Sequence, residues 1–355
     1  VFGAGCGNSG SSESGQVTQG TSVVVADDAY IERGVYGGGS YGYTTATSNI
    51  YILGGTVDGK SGGASGTSYL AAIDGGVYGG ACQNQGGTVN IIMNGGTVNG
   101  SVYGGSNYTG TLSGTSTVTL NGGTINGSLY GGGNGEGSAN TNVTGAVQVR
   151  VYGGTVTDAV YGCNNNAGSP QSSVTVDIYG TDPAPAEGEY ALHAVYGGGN
   201  KAPYSGIPVV TVHNCDNSIE YVYGGGNAAA VAATDVTIWG GNVIGNVFGG
   251  GNGAVSAADV NGNATTKIYG GTILNVYGGS NSQGTIRDAI NVTVNSQAEN
   301  SGDSPCTMNI GDVYGGGNRA ASNVGNLNIV CTGTDGYINR VFGGANAAEI
   351  TGNVE

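Results

Sequence analysis

Val89-Asn90-Ile91-Ile92-Met93-Asn94-Gly95-Gly96-Thr97-Val98-Asn99-Gly100-Ser101-Val102-Tyr103-Gly104-Gly105-Ser106-Asn107 is the stretch whose reading decides the fold. Val89 to Met93 reads as a strand rich in β-branched residues. Asn94-Gly95-Gly96 is a turn, because paired glycines supply positive φ at no steric cost. Thr97 to Tyr103 is extended, with Val98 and Val102 on one face and Asn99 and Tyr103 on the other. Gly104-Gly105-Ser106-Asn107 turns the chain again. The same grammar returns in Val118-Thr119-Leu120 with Gly122-Gly123-Thr124-Ile125, and in Val236-Thr237-Ile238 with Gly240-Gly241-Asn242-Val243.

The end of this stretch is a copy of the phrase Val-Tyr-Gly-Gly-Gly-Asn. Variants begin at Val1, Val35, Val77, Val102, Leu129, Val160, Val195, Val222, Val247, Val276, Val313 and Val341, at intervals of 25 to 42 residues. A repeat of this length is one supersecondary unit that buries its apolar face by stacking on its neighbours. Three short strands and glycine turns per unit describe one coil of a parallel β-helix. The expected fold is therefore all-β: a single-stranded parallel β-helix, or β-solenoid, of about twelve coils. Residues 1–355 are read as one continuous repeat domain. Coils paired at roughly 4.8 Å make a rod on the order of 55 Å. Val1 starts within a repeat and Glu355 stops within a strand. The expectation is a fragment of a longer array, or a subunit that stacks on others.

Read slot by slot, the phrase becomes three columns. Its first position is the inward apolar column. Its second is aromatic at every copy: Phe2, Tyr36, Tyr78, Tyr103, Tyr130, Tyr161, Tyr196, Tyr223, Phe248, Tyr277, Tyr314 and Phe342. Strand alternation turns this column outward, where rings either stabilise neighbouring coils or stack on sugars. The sixth position is Asn107, Asn134, Asn165, Asn200, Asn227, Asn252, Asn281, Asn318 and Asn346, interrupted by Cys6, Ser40 and Cys82. Stacked Asn side chains hydrogen-bond along such a column. A second aromatic slot precedes the middle turn at Tyr152, Tyr179, Trp239 and Tyr269. Insertions at Lys60 to Asp74, Asp182 to His193 and Gln297 to Asn309 fall mainly at one corner.

Gly is 76 of 355 residues, which disfavours long helices. There is no glycine at every third position, so collagen is excluded. The recurrence of Val, Ile and Tyr at fixed places argues against a solvated linker. Acids outnumber bases 23 to 8, for a net charge of −15. No basic stripe exists for nucleic acid, and polyanions are repelled. No apolar run is long enough for a transmembrane helix.

The phrase superficially resembles calcium-binding glycine-rich nonapeptides, but its period is too long and no Asp follows its Asn. Glycan-degrading β-helices need convergent acids or bases, whereas the eight bases here are scattered. Asp27-Asp28 is an adjacent acid pair, and its side chains diverge if it lies in a strand. His213-Asn214-Cys215 has no second half with metal-site spacing. Asp312 and Arg340 share one slot in consecutive coils, which predicts an ion pair. Cys306 and Cys331 lie at one corner of adjacent coils, which predicts a disulfide. Asn107-Tyr108-Thr109 and Asn263-Ala264-Thr265 are sequons that arise readily in such a composition.

On the repeated phrase, the whole chain resembles the glycine-rich Val-Tyr-Gly-Gly-Gly-Asn repeat regions of large surface proteins of anaerobic gut bacteria. It is similar in grammar to β-helical adhesins. The resemblance implies an exported, extracellular or cell-surface protein, and it attaches no catalytic residue to the motif. The expected function is structural and adhesive, without enzymatic activity or cofactor. Expected partners are further copies of the chain, end to end or side by side, and glycans or other surface proteins, but not nucleic acid or membrane. The alternatives are a carbohydrate-binding module using the aromatic column and a β-helical polysaccharide-degrading enzyme.

Overall fold

The computed structural model describes residues 1–7, 14–42, 44–60, 75–83, 86–183, 188–296, 306–333 and 336–354. All regular structure among them is β, and every pairing between strands is parallel. The chain forms two compact units, Val1–Ser173 and Val174–Glu355. Parts of all three predicted insertions (61–74, 184–187 and 297–305) lie outside the described residues.

In the N-terminal unit, Thr21–Val25, Ser48–Ile52, Val89–Met93, Ser116–Leu120 and Val147–Val151 lie side by side in that order. Ile50 faces Ile91, Ile91 faces Val118, and Val118 faces Val149. Each strand thus pairs with its equivalent one repeat later, which makes the unit a β-solenoid. Burial alternates along every strand: Ile50, Ile91, Val118 and Val149 are inside, while Asn49, Asn90, Thr117 and Gln148 face out. Two further columns of short strands complete the coil, Thr97–Val98 and Ser101–Tyr103 being one pair of rungs. The turn between the long and short strands needs glycine: Gly123 has φ 94°, a region closed to most L-residues.

The C-terminal unit repeats this plan with Val174–Ile178, Pro208–Val212, Thr234–Ile238, Ala264–Ile268, Ala289–Asn295, Ser322–Thr332 and Ile350–Val354 in one parallel sheet. Its other wall differs. The two short strands fuse into single strands, as in Ser218–Tyr223 and Thr272–Tyr277. The cause is one residue. Val98 and Val102 are four apart, leaving Asn99 and Gly100 outside any strand, whereas Ile219 and Val222 are three apart. A regular strand sends residues three apart to opposite faces, yet Ile219 and Val222 are both fully buried. Pairing accordingly skips one residue per coil: His193, Glu220, Gly245, Leu274 and Gly311 drop out of the ladder. The result is a stacked column of bulges.

A third side closes each coil through single bridges, Thr44 to Gly86 to Leu112 in one unit and Tyr204 to Val231 to Val260 to Ile286 in the other. Leu112, Val231, Val260 and Ile286 are fully buried, so the core is enclosed on three sides.

Candidate functional site

The phrase aromatics are not an outward column, and the sequence expectation is corrected here. Tyr36, Tyr78, Tyr103, Tyr130 and Tyr161 are at most 7% exposed, and Tyr196, Tyr223, Phe248, Tyr277 and Tyr314 at most 9%. Only Phe2 and Phe342 reach 36% and 38%. Rings stack face to face with centroids 4.7–4.9 Å apart in the first unit and 4.6–5.0 Å in the second. Alternation ends where the chain bends at Gly-Gly, so the ring after the inward Val is enclosed by the turn that follows. The phenols end on Asn side chains of later turns in the same column. Asn107 Nδ2 donates to Tyr36 Oη at 3.2 Å, and Asn252 Nδ2 to Tyr196 Oη at 3.2 Å. Burial pushes the Tyr196 and Tyr223 phenols well above their ordinary range, so they stay neutral donors and acceptors. Rings whose faces cover one another and whose edges are buried offer a sugar nothing to stack on.

The Asn side chains form a directed chain. Asn134 donates to Asn107 and Asn165 to Asn134, at 2.9 and 2.8 Å. In the second unit Asn227 donates to Asn200, Asn252 to Asn227, Asn281 to Asn252, Asn318 to Asn281 and Asn346 to Asn318, all within 2.8–2.9 Å. Each amide donates to the coil before it.

The second aromatic slot is less enclosed than the phrase column. Tyr179, His213, Trp239 and Tyr269 each follow a strand of the long sheet by one residue, on four consecutive rungs. Their backbone N–H groups fix that register: His213 N donates to Ile178 O, Trp239 N to Val212 O and Tyr269 N to Ile238 O, each at 2.8 Å. All four side chains are half-buried. Tyr179 and His213 stack at 4.1 Å, while Trp239 and Tyr269 lie 4.2 Å apart at a 31° tilt. His213 was the member that sequence reading assigned elsewhere. Aligning Val210-Thr211-Val212-His213 with Val236-Thr237-Ile238-Trp239 exposes it. Two residues back on the same face, Asp177 Oδ1 meets His213 Nε2 at 3.2 Å. Asp235 takes the Lys267 ammonium at 2.8 Å.

The cysteine expectation is also corrected: Cys306 is bonded to Cys215, 91 residues away, with Cα atoms 5.7 Å apart. Cys331 is a free, exposed thiol. Cys306 itself lies over two earlier rungs, so that a Cβ on Gly240 would strike Cys306 Sγ and a Cβ on Gly270 the Cys306 carbonyl. This places Cys306 beside Trp239 and Tyr269, away from the Cys331 corner.

Several other charged groups are paired. Arg340 Nε and Nη2 donate to Asp312 at 2.8 and 2.6 Å, and the hydrogen bond from Arg340 holds the buried Asp312 carboxyl below the usual range. In the bulge column His193 Nδ1 meets Glu220 Oε2 at 2.6 Å, with Tyr221 edge-on to the imidazole at 5.7 Å. Asp58 gathers Tyr30 Oη at 2.6 Å, Asn99 Nδ2 at 2.9 Å and Lys60 Nζ at 3.0 Å. A depression of about 200 Å³ is lined by Ser296, Met308, Cys331 and Tyr337. Among the described residues no three metal-ligating side chains converge, and no helix is long and apolar enough to cross a membrane. No protein-family model, curated protein or solved structure matches the chain.

Proposed function

We propose that this chain is a structural repeat scaffold of an extracellular or cell-surface protein, serving adhesion or assembly rather than catalysis. The observation that carries the reading is the column: in both units identical side chains bond to their own counterparts one coil away. The buried tyrosines stack on tyrosines and the asparagines bond to asparagines. The described acids at slot positions are engaged in the same way, Asp312 with Arg340 and Asp235 with Lys267. Polar groups committed to holding coils together serve rigidity and reach, since stability then accumulates from one neighbour to the next.

Negative-stain electron microscopy with small-angle X-ray scattering tests the reading. The expected outcome is elongated particles, and filaments where copies of the chain join. Particles that stay single and never join or lengthen as the concentration of the chain is raised remove it. The glycan-binding alternative is favoured by one observation, the partly buried ring column on the second unit.

A further inference from the structure

We propose that the column Tyr179, His213, Trp239 and Tyr269 is the floor of a binding strip for an extended, uncharged polysaccharide lying along the coil axis. The inference rests on the scaffold reading and names the partner of its adhesive face. Four consecutive rungs each present a half-buried aromatic on one rigid sheet. Two residues back, the same face carries Asp177, Thr211, Thr237 and Lys267, one polar side chain per rung. Mostly aromatic lining with a few placed polar groups is the composition of a small-molecule site. Here it recurs at the strand spacing, which suits a ligand that itself repeats. A chain of pyranose units in extended form repeats on nearly that length and offers hydroxyls at every unit.

One side of the strip is walled. Cys306 lies against the bare corners of Gly240 and Gly270, immediately beyond Trp239 and Tyr269, and the bond to Cys215 pins it there. Asn214 Nδ2 donates to the Tyr179 carbonyl at 2.9 Å and fixes the turn after His213. The wall, floor and polar row are thus all held by contacts independent of any ligand. In the first unit the equivalent slot holds Ala26, Leu53, Asn94, Asn121 and Tyr152, so ring follows ring on successive rungs only in the second unit.

Charge selects the ligand class. Asp177 is hydrogen-bonded to His213 and Asp235 is paired with Lys267, which leaves the face with no unpaired cation to attract a polyanion. The chain's net charge of −15 repels acidic glycans. A protein partner is disfavoured because interface cores are depleted of charged residues, and Asp177, Asp235 and Lys267 sit in this face. Ring faces within each pair cover one another, so the sugar is held at ring edges, through Tyr Oη, Trp Nε1–H and the threonine hydroxyls.

Affinity electrophoresis of the full chain in native gels containing hydroxyethyl cellulose, soluble starch, mannan or xylan tests this, with polygalacturonate as the acidic comparison. The expected result is retardation in at least one neutral-glycan gel. Trp239→Ala should weaken it at least tenfold. Tyr269→Phe and Thr237→Val, which keep the packing, should weaken it several-fold, and Tyr30→Ala, an exposed ring on the short strand Tyr30–Ile31 of the other wall, should leave it unchanged. Retardation in no neutral gel, retardation by polygalacturonate alone, or retardation untouched by the strip variants overturns the proposal. Concentration-dependent self-association that Trp239→Ala abolishes, in a chain that ignores every glycan, overturns it in favour of a second copy. None of these failures alters particle shape, so the scaffold reading stands or falls separately.

Discussion

Gly104 shows how tightly single residues are constrained. A Cβ there would run into the carbonyl oxygen of Gly131, its counterpart one coil later. Gly104→Ala forces the coils apart where Gly104 N donates to Tyr130 O at 2.8 Å. Overpacking of this kind costs about 1–3 kcal/mol, readable as a lower denaturation midpoint with an unchanged slope. Asp58 gives a pH signature. Hydrogen bonds, first from Tyr30 and then from Lys60 and Asn99, hold its carboxyl at about 2 against an unperturbed 3.8. Because the folded value is depressed, the carboxylate's contribution is complete above its unfolded value and disappears as pH falls through the folded one. Between about pH 4 and pH 2 the first unit should therefore lose stability faster in the wild type than in Asp58→Asn, as followed by urea titration at each pH. Equal slopes would show that the exposed cluster contributes nothing.

At the scale of elements, the Asn column and the disulfide make separate demands. Asn252 donates to Asn227 and Tyr196 and accepts from Asn281. Asn252→Ala strands donors and acceptors on both sides and should cost about 2–3 kcal/mol. Asn252→Asp should not rescue it, because the carboxylate cannot donate to Asn227. Chemical denaturation of the three proteins reads both outcomes. Cys215→Ser should destabilise the second unit by about 4 kcal/mol, given a closed loop of 91 residues. Dithiothreitol should reproduce the loss in the wild type and leave Cys215→Ser unmoved. These elements were unequally legible in the sequence. The parallel coil followed from the recurrence of Val89–Asn107 alone. Both Asp312 and Arg340 occupy the position before the phrase Val, and register brings them together. Tyrosine burial was hidden because alternation holds within a strand and fails at the bend after it. The fused strands of the second unit were written in the three-residue step from Ile219 to Val222, but a bulge is invisible to a rule that assumes regular pleating. Cys306 was out of reach because its partner Cys215 lies 91 residues back, on a coil that is not its sequence neighbour.

For the whole molecule, charge and periodicity set the expectations. A net charge of −15 over a chain with eight basic residues is self-repelling. Raising salt from about 10 mM to about 200 mM should increase Tm by a few degrees through screening. A decrease would mean that exposed ion pairs outweigh the repulsion. Nearest-neighbour stability carries a further consequence through the Asn column. From Asn227 to Asn346 each amide in that column reaches back to an acceptor on a coil earlier in the chain. A ribosome or an export pore delivers the chain in that same order. Each arriving coil therefore meets an acceptor already in place, so the array can close behind itself as it emerges and its order of synthesis becomes its order of assembly.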